Sequence, residues 1–273
     1  GDLGAALKLE YQNRNIFNGS ELFSIELRGA YEAIRGLEGY NNDNFEEYTV
    51  ETSLTFPRFI APFLSRSFRR RINATSEVVL MYDLQNRPEY HRRVLSAAWR
   101  YKWNDANHHD RYQIDLIDVN YVFMPWISNK FKEDYLDDNT SRNAILRYNY
   151  EDMLIMKSGL RYNYNNGLYA IKANIETAGN LLALISSVAD FKENGLGQDK
   201  LFDIAYAQYV KGDVDYTKYF RLDRRNTLVL HSALGVAYPY GNSTILPFEK
   251  RYFSGGANSV RGWCVRSLGP GKY

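Results

Sequence analysis

Apolar and polar residues alternate one by one along most of this chain, the pattern of β-strands with two chemically different faces. In the first run Ala5, Leu7, Leu9 and Tyr11 share one face, while Ala6, Lys8, Glu10 and Gln12 share the other. The same period sets Phe23, Ile25, Leu27 and Tyr31 against Ser24, Glu26, Arg28 and Glu32. Further on, Leu95, Ala97, Trp99, Tyr101 and Trp103 oppose Ser96, Arg100 and Lys102. The longest run is read as one strand over 202–222, with Ile204, Tyr206, Val210, Val214, Tyr216 and Phe220 facing lipid and Lys211, Asp213 and Asp215 facing a lumen or water. Ten strands follow from this pattern, near 4–13, 21–33, 45–56, 75–86, 93–103, 111–121, 152–164, 168–178, 202–222 and 227–239. The fold class is therefore all-β and antiparallel, with few helices.

A soluble sandwich alternates too, so the period alone leaves water and lipid open. Run length decides more. Strands of soluble sheets average about 5–6 residues, whereas these runs reach about ten, enough to cross a bilayer at a tilt. Connections also differ by side: Asn165-Asn166-Gly167 and Asp223-Arg224-Arg225-Asn226 are tight, while the segments around 125–150 and 179–200 are long. Short turns at one rim and long loops at the other, with Trp99, Tyr101, Trp103, Tyr162 and Tyr164 near strand ends, predict a transmembrane β-barrel with an interfacial aromatic girdle. Segment 179–193 leaves the alternation for helical spacing and predicts either a short amphipathic helix over one mouth or an apolar strand tip. Segment 126–145, with Lys130, Lys132, Glu133, Asp134, Asp137 and Asp138, predicts a solvated loop.

Composition narrows this picture further. The 273 residues carry 34 basic and 32 acidic side chains, which gives no charge argument for nucleic acid as a partner. The longest apolar stretch, Leu181 to Val188, is broken by Ser186 and Ser187 and falls short of the about 20 residues of a membrane helix. One cysteine, Cys264, excludes an intramolecular disulfide. Gly1-Asp2-Leu3 lacks the basic and apolar start of a signal peptide, as expected of a mature, cytosolic or excised chain. Residues 1–273 are expected to form one barrel domain.

Near the C-terminus the chain reads Leu246-Pro247-Phe248-Glu249-Lys250-Arg251-Tyr252-Phe253-Ser254-Gly255-Gly256-Ala257-Asn258-Ser259-Val260-Arg261-Gly262-Trp263, with Leu268-Gly269-Pro270-Gly271 after it. This segment resembles the signature loop of the BamA/TamA-type outer-membrane assembly barrels. Phe56-Pro57-Arg58-Phe59, the hairpin from Tyr82 to Tyr90 and Glu176-Thr177-Ala178-Gly179-Asn180-Leu181-Leu182 bring it closest to the TamA-like lipoprotein branch. The resemblance implies a sixteen-strand barrel preceded by periplasmic domains, of which this chain would hold the second to eleventh strands as a partial, open sheet. It further implies location in the bacterial outer membrane and a signature loop folded back into the lumen. Its binding residues would be Gly255, Gly256, Val260, Arg261, Gly262 and Trp263, with Arg261 paired to wall carboxylates on strands that follow the loop. Glycine allows positive φ at 255 and 256, Gly262 allows close approach to the wall, and a guanidinium can grip carboxylates with two parallel hydrogen bonds.

The function implied is non-enzymatic: assembly or insertion of client outer-membrane proteins or lipoproteins, in contact with outer-membrane lipids and with periplasmic or surface partner subunits. A strand seam would offer unpaired edges to a client and thin the bilayer locally, though that seam would lie outside this chain. A polypeptide-secreting transporter and a passive porin-like barrel are the alternatives. No cofactor or metal is expected, because His108 and His109 are adjacent and His91 and His231 lack ligands at metal spacing. Glu10, Glu26, Glu47, Glu51 and Glu77 predict a hydrated inner wall, balanced by Lys8, Arg28, Arg100 and Lys157, and not a catalytic pair. The cluster Arg66, Arg69, Arg70 and Arg71 fits a lipid-phosphate contact or a solvated periplasmic turn.

Overall fold

The computed structural model describes residues 3–33, 44–62, 64–105, 107, 109–133, 152–187, 192–193, 199–201, 204–256 and 260–263. Ten strands form one antiparallel meander: β1 (Leu3–Asn13), β2 (Leu22–Ala33), β3 (Asn44–Phe56), β4 (Thr75–Asn86), β5 (Tyr90–Asn104), β6 (Asp110–Ile127), β7 (Met153–Asn165), β8 (Tyr169–Ala178), β12 (Tyr209–Arg221) and β13 (Thr227–Pro239). Between β8 and β12 lie β9 (Lys192–Glu193), β10 (Asp199–Leu201) and β11 (Ile204–Ala205), a separate small sheet. The helices are short: α1 (Arg66–Arg71), α2 (Asn129–Phe131) and α3 (Asn180–Ser186). Strands β1 and β13 stand at the two edges of the sheet, so the ten strands form an open wall.

Register pairing fixes which residues share a face. Val210, Val214 and Phe220 of β12 lie opposite Tyr238, Leu234 and Leu228 of β13, and Tyr216 opposite Ile171 of β8. That face continues through Ile175 and Leu160 to Leu80 and Leu95. Leu7, Leu80, Leu95, Leu160, Ile175, Val214 and Leu234 are all exposed, a larger apolar surface than a water-soluble monomer carries. At about 3.3 Å per residue and a tilt near 45°, ten residues span about 23 Å, close to the height of an outer-membrane apolar band. Aromatic rings stack from strand to strand along the short-turn end of this face. Trp103 lies 5.1 Å from Tyr112, Tyr112 5.2 Å from Tyr162, and Tyr164 5.0 Å from Tyr169.

The opposite face is charged and far less exposed. Its pattern depends on an irregularity in β6, where Asp115 pairs with Gly159 and Asp118 with Lys157, so three steps on β6 match two on β7. This bulge reverses the phase of the alternation, and Asp115 and Asp118 both face inward. Arg100 then reaches Asp115 at 3.4 Å and Asp118 and Glu77 at 3.9 Å, while Arg161 meets Asp115 at 3.1 Å and Lys157 meets Asp118 at 3.5 Å. Lys8–Glu26 at 2.9 Å and Arg28–Glu47 at 3.9 Å continue the expected balance on this same face towards the β1 edge.

Three expectations are corrected or sharpened. The strand read over 202–222 is divided: Ile204 lies half-buried in the small sheet and Tyr206 is buried, so neither is exposed to lipid as Val210 is. The Ala207 amide donates to the Leu154 carbonyl at 2.9 Å, so the chain runs bridged alongside the start of β7 before entering β12. Of the two readings left open for 179–193, the short helix is the one found, over Asn180–Ser186. It starts where Gly179 adopts φ 79°, and Lys192–Glu193 is a strand. Of the solvated loop expected at 126–145, Trp126 and Ile127 still belong to β6, Lys130 lies in α2, and Asp134, Asp137 and Asp138 lie outside the described residues.

Candidate functional site at the inner wall

The inner face is not wholly polar. Met153, Ile155, Ala178, Ala207 and Tyr209 form a buried apolar cluster at the long-loop end, and Leu246 packs against it. Period-two reasoning could not show this cluster, because it is completed by the segment that crosses between α3 and β12. The crossing is fastened to the chain after β13. The Gln208 amide donates to Ser243 Oγ at 2.8 Å, and Asn242 Nδ2 donates to the carbonyls of Asp199 and Tyr206 at 3.0 Å.

From Leu246 the chain folds back along the wall. A 3₁₀ turn at Phe248–Lys250 directs successive side chains to different strands. Glu249 forms an ion pair with Arg92 of β5. Lys250 Nζ lies 3.6 Å from Glu176 Oε1 of β8, whose other oxygen is 3.3 Å from Lys157 Nζ. Tyr209 donates its hydroxyl to Glu176 at 3.0 Å. Lys211 of β12 donates to the Lys250 carbonyl at 3.2 Å and stands 4.2 Å from the centre of the Tyr252 ring. The Tyr252 hydroxyl is 3.0 Å from the Gly212 carbonyl and 3.1 Å from Asp213 Oδ1, and its proton is shared between them. The ring fits there because β13 carries glycine opposite it: a Cβ on Gly235 would lie 2.5 Å from Tyr252 Cζ. One short segment thus joins β5 to β8, β12 and β13 across the concave face.

Two titrating groups of this segment lie outside the strands. Partial burial, with the Asp213 charge next, pushes the Tyr252 phenol up to about 12, so it stays a donor at neutral pH. Burial and the neighbouring Lys157 ammonium outweigh the attraction of Glu176 and push Lys250 down to about 8. A lysine that binds its proton less tightly when docked releases it on docking. Loop attachment is therefore expected to be independent of pH below about 8 and to strengthen as pH rises from there towards 10.5, the ordinary value. Protease sensitivity of the loop, measured across this window, should fall with pH in wild type, and Lys250→Met should abolish the slope.

The residues expected to form the site divide into two groups. Gly255 and Gly256 both adopt positive φ, 96° and 92°, a conformation that favours glycine. The Gly256 amide donates to the Trp263 carbonyl at 2.8 Å and the Trp263 amide to Val260 at 3.1 Å, which closes the loop on itself. Val260, Arg261, Gly262 and Trp263 are exposed, and Arg261 has no ion pair among the described residues. A Cβ on Gly262 would meet nothing within 4 Å among the described residues, so they do not form the close approach to the wall expected there. The contacts that hold the loop come from Glu249, Lys250 and Tyr252, just before the glycine pair. His231 lies 2.8 Å from Asp215 across the β12–β13 pair.

A ten-stranded meander with an apolar outer face, an ion-paired inner face and a loop folded onto that inner face defines an outer-membrane β-barrel wall. Residues 7–273 match the Omp85 superfamily domain, and the chain belongs to that superfamily of bacterial outer-membrane proteins. Over 66 residues it is 36% identical to the outer membrane protein assembly factor BamA of Neisseria meningitidis serogroup B, a match covering 24% of this chain and 8% of that protein. The crystal structure of BamA from Haemophilus ducreyi lacking POTRA domains 1-3 superposes with a TM-score of 0.53 at 14% identity, over 98% of this chain and 47% of that one. This second likeness shows the fold, and the chain spans about half the length of that structure.

Proposed function

We propose that this barrel takes part in assembling or translocating proteins at the outer membrane, without a chemical step of its own. The observation that carries the proposal is the loop pinned across the concave wall, from Arg92 on β5 to Glu176 on β8 and Asp213 on β12. A passive pore does not need a segment ion-paired to several separate strands of its wall. A machine that must keep distant strands in register while a client engages elsewhere does. The similar protein from Neisseria meningitidis, named an assembly factor, supports this class. Client outer-membrane proteins or lipoproteins, surrounding lipid and periplasmic or surface subunits are the partners proposed. Placement in the TamA-like branch is carried by the sequence resemblance alone.

The test uses full-length protein with residues 246–263 deleted, compared with wild type after depletion of the chromosomal copy. Loss of several outer-membrane proteins, with a heat-modifiable barrel still present, is the expected result. Raised conductance with loss of one exported cargo would point to a secreting transporter. Unchanged outer-membrane protein levels would point to a passive barrel.

A further inference from the structure

The connection from Pro57 to Ala74, between β3 and β4, carries five arginines and no acidic residue, together with Phe59, Ile60, Phe63, Leu64, Phe68 and Ile72. It stands at the short-turn rim, and its first part lies over the outer face of the wall. Ser76 and Tyr101 share the outward side with Val78 and Trp99, yet both are buried. Ser76 Oγ accepts from the Ile60 amide at 2.8 Å and donates to the Arg58 carbonyl at 2.9 Å, and Tyr101 donates its hydroxyl to Ile60 at 2.9 Å. Phe59 meets the Tyr101 ring edge to face at 4.8 Å. Tyr101 lies on the same strand face as Trp103, where the aromatic belt begins, so the connection stands at the height of the membrane interface.

Helix α1 follows, with the Ser65 side chain accepting from the Phe68 amide at its start. Phe68 is 46% exposed, and Arg58 and Arg66 are exposed too. Among the described residues Arg58, Arg66 and Arg69 have no carboxylate partner, whereas Arg28, Arg92, Arg100 and Arg161 of the wall all have one. An exposed phenylalanine beside unpaired guanidinium groups, outside the barrel and level with its aromatic belt, is matched by an apolar acyl region under a layer of phosphates.

We infer that residues 57–74 form an interfacial anchor that selects acidic phospholipid headgroups at this rim. Arg58, Arg66 and Arg69 hold the phosphates, and Phe68 enters the acyl boundary. Arginine suits phosphate because its fork donates two parallel hydrogen bonds. Each arginine near an anionic surface is worth about a fivefold enrichment of that lipid at low salt.

The experiment reconstitutes the full-length protein, with Ser67→Cys in a background where Cys264 and any other cysteine are replaced by serine, and an environment-sensitive fluorophore at residue 67. The vesicles are phosphatidylcholine containing an equal fraction of brominated phosphatidylglycerol or brominated phosphatidylcholine. Quenching is expected to be several-fold stronger with the brominated phosphatidylglycerol. The paired change Arg66→Gln with Arg69→Gln should bring the two quenchers to parity, and Phe68→Ser should weaken both. High salt should also bring wild type to parity, since the screening length falls from about 10 Å at 0.1 M to about 3 Å at 1 M. That arm stands even if the arginine variant fails to fold. Equal quenching by both lipids in wild type at low salt, or none by either, would overturn the inference.

Discussion

Replacing Glu176 with alanine is expected to cost about 3–5 kcal/mol of barrel stability, because it leaves two ammonium groups beside each other without their shared carboxylate. Lys157 and Glu176 are both buried, and Glu176 takes Lys157 on one oxygen and Lys250 and Tyr209 on the other. Asp118 remains at 3.5 Å from Lys157 but makes no direct ion pair with Lys250 among the described residues. Most of the loss therefore comes from cations left behind, and a double change of Glu176 and Lys250 to uncharged residues should recover part of it. Tyr209→Phe removes a single hydrogen bond to the same carboxylate and should cost only about 1–2 kcal/mol. Thermal shift of heat-modifiable mobility on gels, compared across these variants, checks the order. Equal behaviour of Glu176→Ala and Tyr209→Phe would contradict it.

The second large effect is expected at Arg261. This residue is exposed, with no ion pair among the described residues. We propose that it grips carboxylates supplied from outside them. If it does, Arg261→Ala should cost about 3–5 kcal/mol of loop anchoring in the full-length protein, the penalty of leaving a buried partner charge unpaired. Arg261→Lys should also be impaired, since an ammonium cannot reproduce the planar fork. Arg251 is a poor control, because its Nε donates to the Leu246 carbonyl at 2.9 Å and helps shape the turn. Arg224, in the exposed β12–β13 turn, is the suitable comparison. Loop proteolysis and growth are the readouts, and wild-type behaviour of both Arg261 variants would refute the role.

The sheet was legible in the sequence because one face meets lipid and the other meets ion pairs, so a period of two runs through nearly every strand. Legibility failed where tertiary packing overrode that period. In β6 the bulge between Asp115 and Asp118 shifts the phase by one residue, and neither side chain announces it. At 204–208 the alternation of Ile204 and Tyr206 persists in the sequence, but a bridge to Leu154 and the bond from Gln208 to Ser243 bury the chain and interrupt the strand. The motif glycines were legible through their conformation, as Gly255 and Gly256 both adopt positive φ. The residues that fasten the loop were not. Glu249, Lys250 and Tyr252 sit inside the recognisable segment, but their partners Arg92, Glu176, Asp213 and Gly235 are scattered over four strands and meet them only once the sheet curves.

Residues 249–252 are held against the inner wall by Arg92, Glu176 and Asp213. Placing the photoreactive residue p-benzoylphenylalanine at Tyr252 in full-length protein, in native outer membranes, tests this docking. After irradiation and proteolysis, mass spectrometry should find residue 252 joined within the same chain to the peptide holding Gly212 and Asp213 or to the one holding Gly235. Adducts solely to lipid or to other proteins, with no intrachain product, would contradict a loop docked on the wall.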